Sequence, residues 1–288
     1  MPLNELQLLA PAKLNLFLHI IGRRDDGYHE LQTLFQLLDF GDTIRLKKQQ
    51  AGGVSLSCSN PDLETQDNLI IKAVRALEHK TQQSFNVDIH LEKTLPMGGG
   101  IGGGSSDCAT TLLGMNQLFG LNLSQATLLD IGKQLGADVP VFINGRTAWA
   151  EGIGERLTEI AMPENWFLVI QPQVHVSTAE LFTHPELTRN TPPCTIRPAL
   201  AQTGHNDFEP LVRKLYPTIE SAFNCCAPYG TAKLTGTGAC LFLTFPTKAM
   251  AEEILLTLQR TDPNLSAFIA QGNNVSRTIT QLNRFTSN

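Results

Sequence analysis

Residues 95–107, LPMGGGIGGGSSD, decide the fold prediction, because six of the seven positions from 98 to 104 are glycine. Glycine loses more conformational freedom on folding than any other residue, so a run of six indicates a backbone that must approach another group closely. Apolar residues recur at helical spacing from Ser105 onward, and Ser105 or Ser106 is the predicted N-cap of that helix. The stretch therefore predicts a glycine-rich loop that leads into a helix.

The residues before this loop, 85–92, alternate apolar and polar side chains and predict an amphipathic strand. A glycine loop between a strand and a helix N-terminus offers free backbone N–H groups and roughly half a positive charge from the helix dipole. The natural ligand of such a loop is a phosphate group. A flexible linker is the alternative, but a linker would not lie between a strand and a helix.

Other glycine loops fit the sequence less well. A Walker A loop would need a lysine at position 104, where this chain has Gly104. Residues 98–103 match G-x-G-x-x-G, but the central strand of a dinucleotide-dependent oxidoreductase would be a continuous apolar run. The DFG tripeptide at 39–41 precedes the glycines, so we interpret it as a hydrophobic segment that turns at Gly41 rather than as a protein-kinase motif.

The composition is that of an ordinary soluble globular protein. The 288 residues are 42% hydrophobic and 17% charged, with a net charge of −5 and no basic tract, which argues against a nucleic-acid partner. The apolar stretches are too short to span a bilayer, and the N-terminus lacks a basic signal region, so we expect no membrane association. Six scattered cysteines without C-x-x-C indicate a reducing compartment, and we predict a cytoplasmic location. The sequence does not determine the oligomeric state.

The order of predicted elements indicates an α+β fold with two domains. Alternating apolar residues predict strands at 8–21, 31–40, 43–46, 54–58, 166–170, 240–245 and 267–270. Helical patterns occur at 67–77, 105–119, 124–136, 208–216, 218–226 and 247–258. The second half suggests helices on a mostly antiparallel sheet. A polar segment containing Pro163 separates the predicted domains, 1–158 and 159–288.

Two charged residues are candidates for chemistry. Lys13 lies at the entrance of the first predicted strand, where a solvated strand end is the ordinary interpretation. Asp138 follows a predicted helix that ends at Gly136, and Pro140 biases Val139 towards an extended conformation. Because a carboxylate is unfavourable at a helix C-terminus, capping does not explain Asp138, which leaves a functional role or an ordinary turn.

Three separated motifs resemble one family. APAKLNL at 10–16, PMGGGIGGGSS at 96–106 and LTGTGA at 234–239 are similar to the signatures of the galactokinase, homoserine kinase, mevalonate kinase and phosphomevalonate kinase (GHMP) superfamily. GRRDDGYHEL at 22–31, GADVPVF at 136–142 and RLTEI at 156–160 resemble the branch whose substrate carries a cytidine diphosphate. The resemblance runs from about residue 11 to residue 272.

This resemblance implies a two-domain GHMP-kinase architecture with the active-site cleft between the domains: an N-terminal ATP-binding and catalytic domain and a C-terminal substrate-binding domain. It also implies ATP-dependent phosphorylation, with Mg²⁺, of the 2-hydroxyl of 4-diphosphocytidyl-2-C-methyl-D-erythritol, a step of the non-mevalonate isoprenoid pathway. The ligands of Mg²⁺ remain undetermined. Phosphoryl transfer offers the protein little covalent chemistry, so positioning and charge stabilisation dominate.

The resemblance also implies residue roles. Asp138 would be the general base, Lys13 would neutralise charge beside it, and Asn15 would hydrogen-bond near the same centre. Tyr28 and Phe182 would sandwich the cytosine ring, His29 would recognise its edge, and Thr178 would line the same pocket. The whole glycine loop would hold the ATP phosphates through Pro96, Met97, Gly98, Gly99, Gly100, Ile101, Gly102, Gly103, Gly104, Ser105 and Ser106.

One residue departs from the family pattern. Superfamily members usually have a small residue or Asn after the two serines, whereas this chain has Asp107. An acid in the first turn stabilises a helix, but it also places negative charge near the nucleotide. We expect its side chain to turn away from the phosphates.

Two alternatives remain open. Another kinase of the superfamily, acting on homoserine or mevalonate, would have no use for the aromatic rings assigned to cytosine. A non-catalytic nucleotide or sugar sensor would have no use for the Lys13 and Asp138 pair.

Overall fold

A computed structural model describes residues 3–195 and 204–286. Two long antiparallel strands begin the chain, β1 (Glu5–Arg23) and β2 (His29–Lys48). The next elements are β3 (Val54–Cys58), α1 (Leu69–Thr81) and β4 (Val87–Glu92), and β3 pairs with β4 in parallel. The chain continues through α2 (Gly103–Phe119), α3 (Gln125–Leu135), α4 (Val139–Asn144), β5 (Ala148–Gly152) and β6 (Arg156–Glu159).

The second half alternates short strands and helices. It contains β7 (Trp166–Ile170), α5 (Thr178–Thr183), α6 (Glu209–Leu215), α7 (Pro217–Cys226), β8 (Lys233–Leu234), β9 (Leu241–Phe245), α8 (Lys248–Thr261), β10 (Ala267–Asn273) and α9 (Arg277–Thr286). In the described part of the chain, no helix is both long and apolar enough to cross a membrane.

β2 is the strand to which most of the sheet attaches. β1 follows it over nearly its whole length, whereas β5, β10 and β4 pair in turn with residues 31–35, 37–38 and 43–48. The sheet then continues from β10 through β7 and β9 to β8, and every one of these pairings is antiparallel. The predicted α+β class with a mostly antiparallel sheet is therefore confirmed.

The core consists of several apolar clusters that cross the halves of the sequence. One cluster packs α1, α2, α3 and α4 against the strands β1, β2, β3 and β4, and it includes Leu282 from the C-terminal helix. Another packs α6, α7 and α8 against β7 and β9, and it includes Leu18 and Ile20 from β1. Each half thus contributes side chains to the core of the other. The domain boundary between residues 158 and 159 stays a prediction.

The predicted turn at Gly41 is wrong, because β2 runs unbroken through residues 39–41. A Cβ atom at Gly41 would lie 2.0 Å from the carbonyl oxygen of Ala10. Glycine is therefore present because β1 passes too close for any side chain, and not because the chain turns.

Two predicted helix starts also differ from the structure. α2 begins at Gly103, and its N-cap is Gly102 in the left-handed conformation, so Ser105 and Ser106 lie in the first turn rather than at the cap. The extended conformation expected for Val139 is wrong, because Val139 and Pro140 begin α4. Proline is well tolerated in a first helical turn, where its missing N–H has no partner to lose. Asp138 consequently lies at a helix N-terminus, the favourable end of the dipole for a carboxylate.

Candidate active site

The glycine-rich loop between β4 and α2 is held by the two other motif segments. The carbonyl oxygen of Ile101 accepts a hydrogen bond from the backbone N–H of Lys13 at 3.0 Å. The carbonyl oxygen of Gly99 accepts one from the N–H of Cys240 at 3.1 Å, and that of Gly100 accepts one from Lys13 Nζ at 3.0 Å. The three motifs are far apart in sequence and meet at this loop.

Two glycines of the loop are required by packing as well as by their backbone conformation. Gly100 has φ +71°, and an added Cβ would lie 2.4 Å from the carbonyl oxygen of Thr235. Gly102 has φ +77°, and its Cβ would lie 2.7 Å from the ring of Phe142. Residues other than glycine rarely adopt such positive φ values. The loop is therefore a packed structure with a bare backbone rather than a flexible linker.

Lys13 is buried beside a partly exposed carboxylate. Its Nζ lies 3.4 Å from Asp138 Oδ2 and 2.5 Å from Asn15 Oδ1, and it sits 5.3 Å from the centre of the Phe35 ring. Asn15 is fixed in turn, since its Nδ2 donates to Thr33 Oγ1 at 2.8 Å. The structure therefore rules out the solvated strand end as the explanation of Lys13.

The Asp138 carboxylate is available to a ligand. Its side chain is 37% exposed, and within the described chain it makes no capping hydrogen bond to α4. A lysine that is held by two further oxygen atoms thus presents its charge to one accessible carboxylate. The Lys13 ammonium therefore lies within ion-pair distance of a carboxylate that a ligand can reach.

The catalytic and substrate-binding residues predicted from the sequence line one cleft of about 730 Å³. Its walls include Lys13, Asn15, Tyr28, His29, Asp138, Thr178 and Phe182. A second pocket of about 420 Å³, which we call the outer pocket, is lined by residues 96–105 together with Lys93 and Asp107. Gly98, Gly100 and Ser105 line both spaces, so the two spaces adjoin at the glycine loop. Ser106 is buried outside both linings.

The aromatic part of the cleft is built around Phe182. The ring centres of His29 and Phe182 are 4.9 Å apart, and Phe208 packs edge-on to Phe182 at 5.0 Å. Tyr28 is 61% exposed at the rim of the cleft. Thr178 shares a hydrogen bond of 2.7 Å with Thr237, which belongs to the third motif.

Sequence reasoning missed Arg189, which holds this aromatic group together. Arg189 Nε donates to His29 Nε2 at 3.1 Å, and its Nη2 donates to the carbonyl oxygens of Phe182 and His184 at 2.8 Å each. Burial lowers the pKa of His29, and the charges of Arg189 and Arg23 lower it further. His29 is therefore neutral at pH 7, and acceptance at Nε2 places its proton on Nδ1. No local signal marks Arg189, because it lies 160 residues from His29 in an irregular segment.

Comparison with known proteins defines the class first. Residues 68–146 match the family model for the GHMP kinases N terminal domain, and residues 194–264 match that for the GHMP kinases C terminal domain. The mevalonate kinase of Methanococcus jannaschii has the same fold, with a TM-score of 0.69 and 16% identity over 94% of this chain and 98% of that one. Together with the glycine loop and the Lys13–Asp138 pair, these matches define a small-molecule kinase of the GHMP superfamily.

Proteins with higher sequence identity show which family of the superfamily this chain belongs to. A 4-diphosphocytidyl-2-C-methyl-D-erythritol kinase of Pseudomonas syringae pv. syringae is 50% identical over 272 residues, which cover 94% of this chain and 95% of that protein. A crystal structure of 4-(cytidine 5'-diphospho)-2C-methyl-D-erythritol kinase has a TM-score of 0.80 and 30% identity, covering 93% of this chain and 99% of that one. The chain therefore belongs to the 4-diphosphocytidyl-2-C-methyl-D-erythritol kinase family.

Proposed function

We propose that this chain transfers the γ-phosphoryl group of ATP to the 2-hydroxyl of 4-diphosphocytidyl-2-C-methyl-D-erythritol, a step of the non-mevalonate isoprenoid pathway. The observation that carries the proposal is the Lys13–Asp138 pair, 3.4 Å apart, beside a glycine loop that lines two adjoining pockets. A nucleotide in the outer pocket and an alcohol in the cleft would meet where the two pockets adjoin. Such a geometry suits an in-line transfer between two bound partners.

Asp138 acts as the general base in this proposal. It accepts the proton of the 2-hydroxyl as the oxygen attacks the γ-phosphorus, while the bond from that phosphorus to the ADP oxygen breaks. A positioned base contributes on the order of 10²–10⁴-fold to such a step. Lys13 stabilises the negative charge that gathers around the transferred group.

Residues 96–105 line the outer pocket and hold the ATP phosphates through the backbone N–H groups of residues 97–105 at the N-terminus of α2. Ser106 supports this turn from inside, since its N–H donates to the Gly102 carbonyl oxygen at 2.8 Å. Within residues 3–195 and 204–286, no group of three or more His, Cys, Asp or Glu side chains could hold a metal ion. Among the described residues that line the cleft, Asp138 carries the one carboxylate. The chain therefore fits Mg²⁺ as an ion held mainly by the nucleotide phosphates, with Asp138 as the available protein ligand. Bound Mg²⁺ would neutralise phosphate charge.

The cytidine of the substrate occupies the aromatic part of the cleft. Phe182 and the exposed ring of Tyr28 offer faces on which a base can stack, and stacking tolerates any base. His29, neutral with its proton on Nδ1, offers a hydrogen-bond donor to the base edge, and Thr178 offers a hydroxyl nearby. Hydrogen bonds to the edge supply the discrimination that stacking lacks. The cytoplasmic location and the absence of a nucleic-acid partner stay predictions.

The test is ADP formation by the purified protein with and without 4-diphosphocytidyl-2-C-methyl-D-erythritol, compared with Asp138→Asn. We expect substrate-dependent turnover and a fall in kcat on the order of 10²–10⁴-fold in the variant, with little change in the KM for ATP. Asp130→Asn, an exposed acid on α3 that pairs with Lys133, is the matched control and should leave kcat unchanged.

Three outcomes would contradict parts of the proposal. Full turnover by Asp138→Asn would remove Asp138 as the base. Turnover with homoserine or mevalonate, but not with the cytidine-bearing substrate, would assign another kinase of the superfamily. Failure with all three alcohols, together with ATP binding, would indicate a nucleotide sensor.

A further inference from the structure

A buried cluster of two acids and one lysine lies beside the glycine loop. Lys93 Nζ is 2.6 Å from Asp42 Oδ2 and 2.8 Å from Asp107 Oδ2. All three side chains are buried, with exposed fractions of 8% for Lys93, 0% for Asp42 and 5% for Asp107. We call Asp42, Lys93 and Asp107 the acid–lysine cluster. The catalytic step described above does not use it.

The cluster ties both ends of the loop to β2. Asp42 Oδ1 accepts hydrogen bonds from the backbone N–H groups of Thr94 at 2.6 Å and Leu95 at 2.7 Å, where the chain enters the loop. Asp107 is the fifth residue of α2, just after the first turn that follows the loop. Lys93 joins these two ends, and an added Cβ at Gly103 would lie only 3.1 Å from its Nζ. The shape of the loop therefore depends on the cluster.

The cluster holds more negative than positive charge when both acids are ionised. Asp107 Oδ1 is buried and has no hydrogen-bond partner among residues 3–195 and 204–286. A buried carboxylate oxygen without a partner makes the ionised form costly. Lys93 and Asp107 also line the outer pocket, so a bound triphosphate would add further negative charge close to the cluster.

The charged and titratable groups that face Asp107 are Lys93, Asp42 and the thiols of two neighbouring cysteines. Burial lowers the pKa of Lys93, but the charges and hydrogen bonds of Asp107 and Asp42 outweigh burial and raise it overall, so Lys93 stays charged. Burial raises the pKa of the two neighbouring thiols, Cys58 on β3 and Cys108 on α2, so both stay neutral. Burial, opposed by Lys93 and helped by the charge of Asp42, raises the pKa of Asp107 to about 7.

We propose that Asp107 is a positioning residue of the phosphate loop that takes up a proton when ATP binds. The inference rests on the proposed function, since it places the ATP phosphates in the outer pocket. The triphosphate disfavours a second negative charge nearby, and a protonated Asp107 donates a hydrogen bond to the Asp42 carboxylate. Lys93 then faces one carboxylate and the nucleotide instead of two carboxylates. ATP affinity accordingly falls as pH rises through the pKa of Asp107.

The test is isothermal titration calorimetry of Mg-ATP at pH 7 in buffers of different ionisation enthalpy, which counts protons taken up on binding. Asp107→Asn is the matched variant, because Asn keeps an oxygen for Lys93 and cannot titrate. The wild type should take up more protons than Asp107→Asn, by a fraction of one proton, since Asp107 is partly ionised before ATP binds. Between pH 6 and pH 8 the affinity of the wild type for Mg-ATP, divided by that of Asp107→Asn, should fall by up to about tenfold.

Proton uptake and pH profiles that are equal in the two proteins would overturn this inference and leave the proposed function intact. Absence of ATP binding by the wild type would overturn the nucleotide site itself, and this inference with it. If Asp107→Asn does not fold, the ¹³C carboxyl shift of Asp107 in the wild type decides instead. Its titration midpoint should rise when ATP is added, and an unchanged midpoint would contradict the proposal.

Discussion

At the residue scale, His29 and Phe182 are the two rings whose positions other residues hold most clearly in the proposed cytosine site. The Phe208 ring packs edge-on against the Phe182 ring. Arg189 donates hydrogen bonds to the carbonyl oxygen of Phe182 and to the His29 ring. These contacts fix the ring before any ligand arrives, so little side-chain entropy is lost on stacking. A rigid aromatic face is therefore available for the cytosine ring that we propose to bind there.

Phe182→Leu should raise the KM for the cytidine-bearing substrate by about 10–100-fold, because stacking of a base on an aromatic ring contributes about 1–3 kcal/mol. The KM for ATP should stay within twofold, since Phe182 lines the cleft and not the outer pocket. Steady-state kinetics with each substrate varied in turn measure both values. Phe285→Leu, an exposed ring on α9, is the control. Equal increases in both KM values would contradict the assignment of Phe182 to the cytosine.

Residue roles could be proposed from the sequence only where a motif carried them, and these roles stay predictions. The motif containing Lys13 indicated chemistry, but local evidence favoured a solvated strand end. The structure buries Lys13 at 2% exposure because Ile101, Gly100 and Asn15 surround it. Arg189 had no motif and was not predicted. A side chain 160 positions away enters the site only when the chain has folded.

At the scale of elements, the glycine loop is the feature that the fold constrains most tightly. Its carbonyl oxygens bond to Lys13 and Cys240, and glycine is needed at position 100 because the Thr235 carbonyl oxygen lies so close. Several short elements were not predicted, among them α4, α5, β5 and α9. Four to six residues give too few repeats for a period to be recognised, and α9 has a polar sequence apart from its buried positions.

Gly100→Ala should weaken ATP binding by at least about tenfold, since its Cβ would collide with backbone and the positive φ is strained for alanine. Calorimetric titration with Mg-ATP measures the loss. Gly22→Ala is the matched control, because its Cβ meets no atom within 4 Å in the described chain and its φ is not positive. ATP affinity in Gly100→Ala that equals that of Gly22→Ala would show that the loop does not bind the nucleotide as proposed.

At the scale of the whole molecule, the end of the chain packs on its beginning. Thr278 Oγ1 donates to the carbonyl oxygen of Leu9 at 2.6 Å, and Gln281 Oε1 accepts from the Leu9 N–H at 2.9 Å. Leu282 joins the apolar cluster beneath α1 and α2. β10 meanwhile pairs with β2 on one side and β7 on the other. The two halves of the sequence are therefore tied together by backbone pairing and by shared core.

Leu282→Ala should destabilise the whole protein by about 2–4 kcal/mol, because it removes buried methyl groups and leaves a cavity. Leu256→Ala on α8 is the control; that side chain is 57% exposed, so its loss should change the free energy of unfolding by less than about 0.5 kcal/mol. Denaturant unfolding followed by circular dichroism gives both values. If Leu282→Ala matched Leu256→Ala, α9 would not be part of the core of the N-terminal half.

The α+β class, the glycine loop between a strand and a helix, and membership of the kinase superfamily all followed from the sequence alone. These properties depend on short contiguous stretches, because hydrophobic periodicity and a high glycine content can be recognised over a few residues. Three features became visible only in the folded chain: Asp138 is the N-cap residue of a helix, Lys93 joins two buried acids, and Arg189 holds His29. Each of these contacts depends on burial and packing between elements that lie far apart in the chain. Local pattern carries no information about which distant groups folding brings within hydrogen-bond distance.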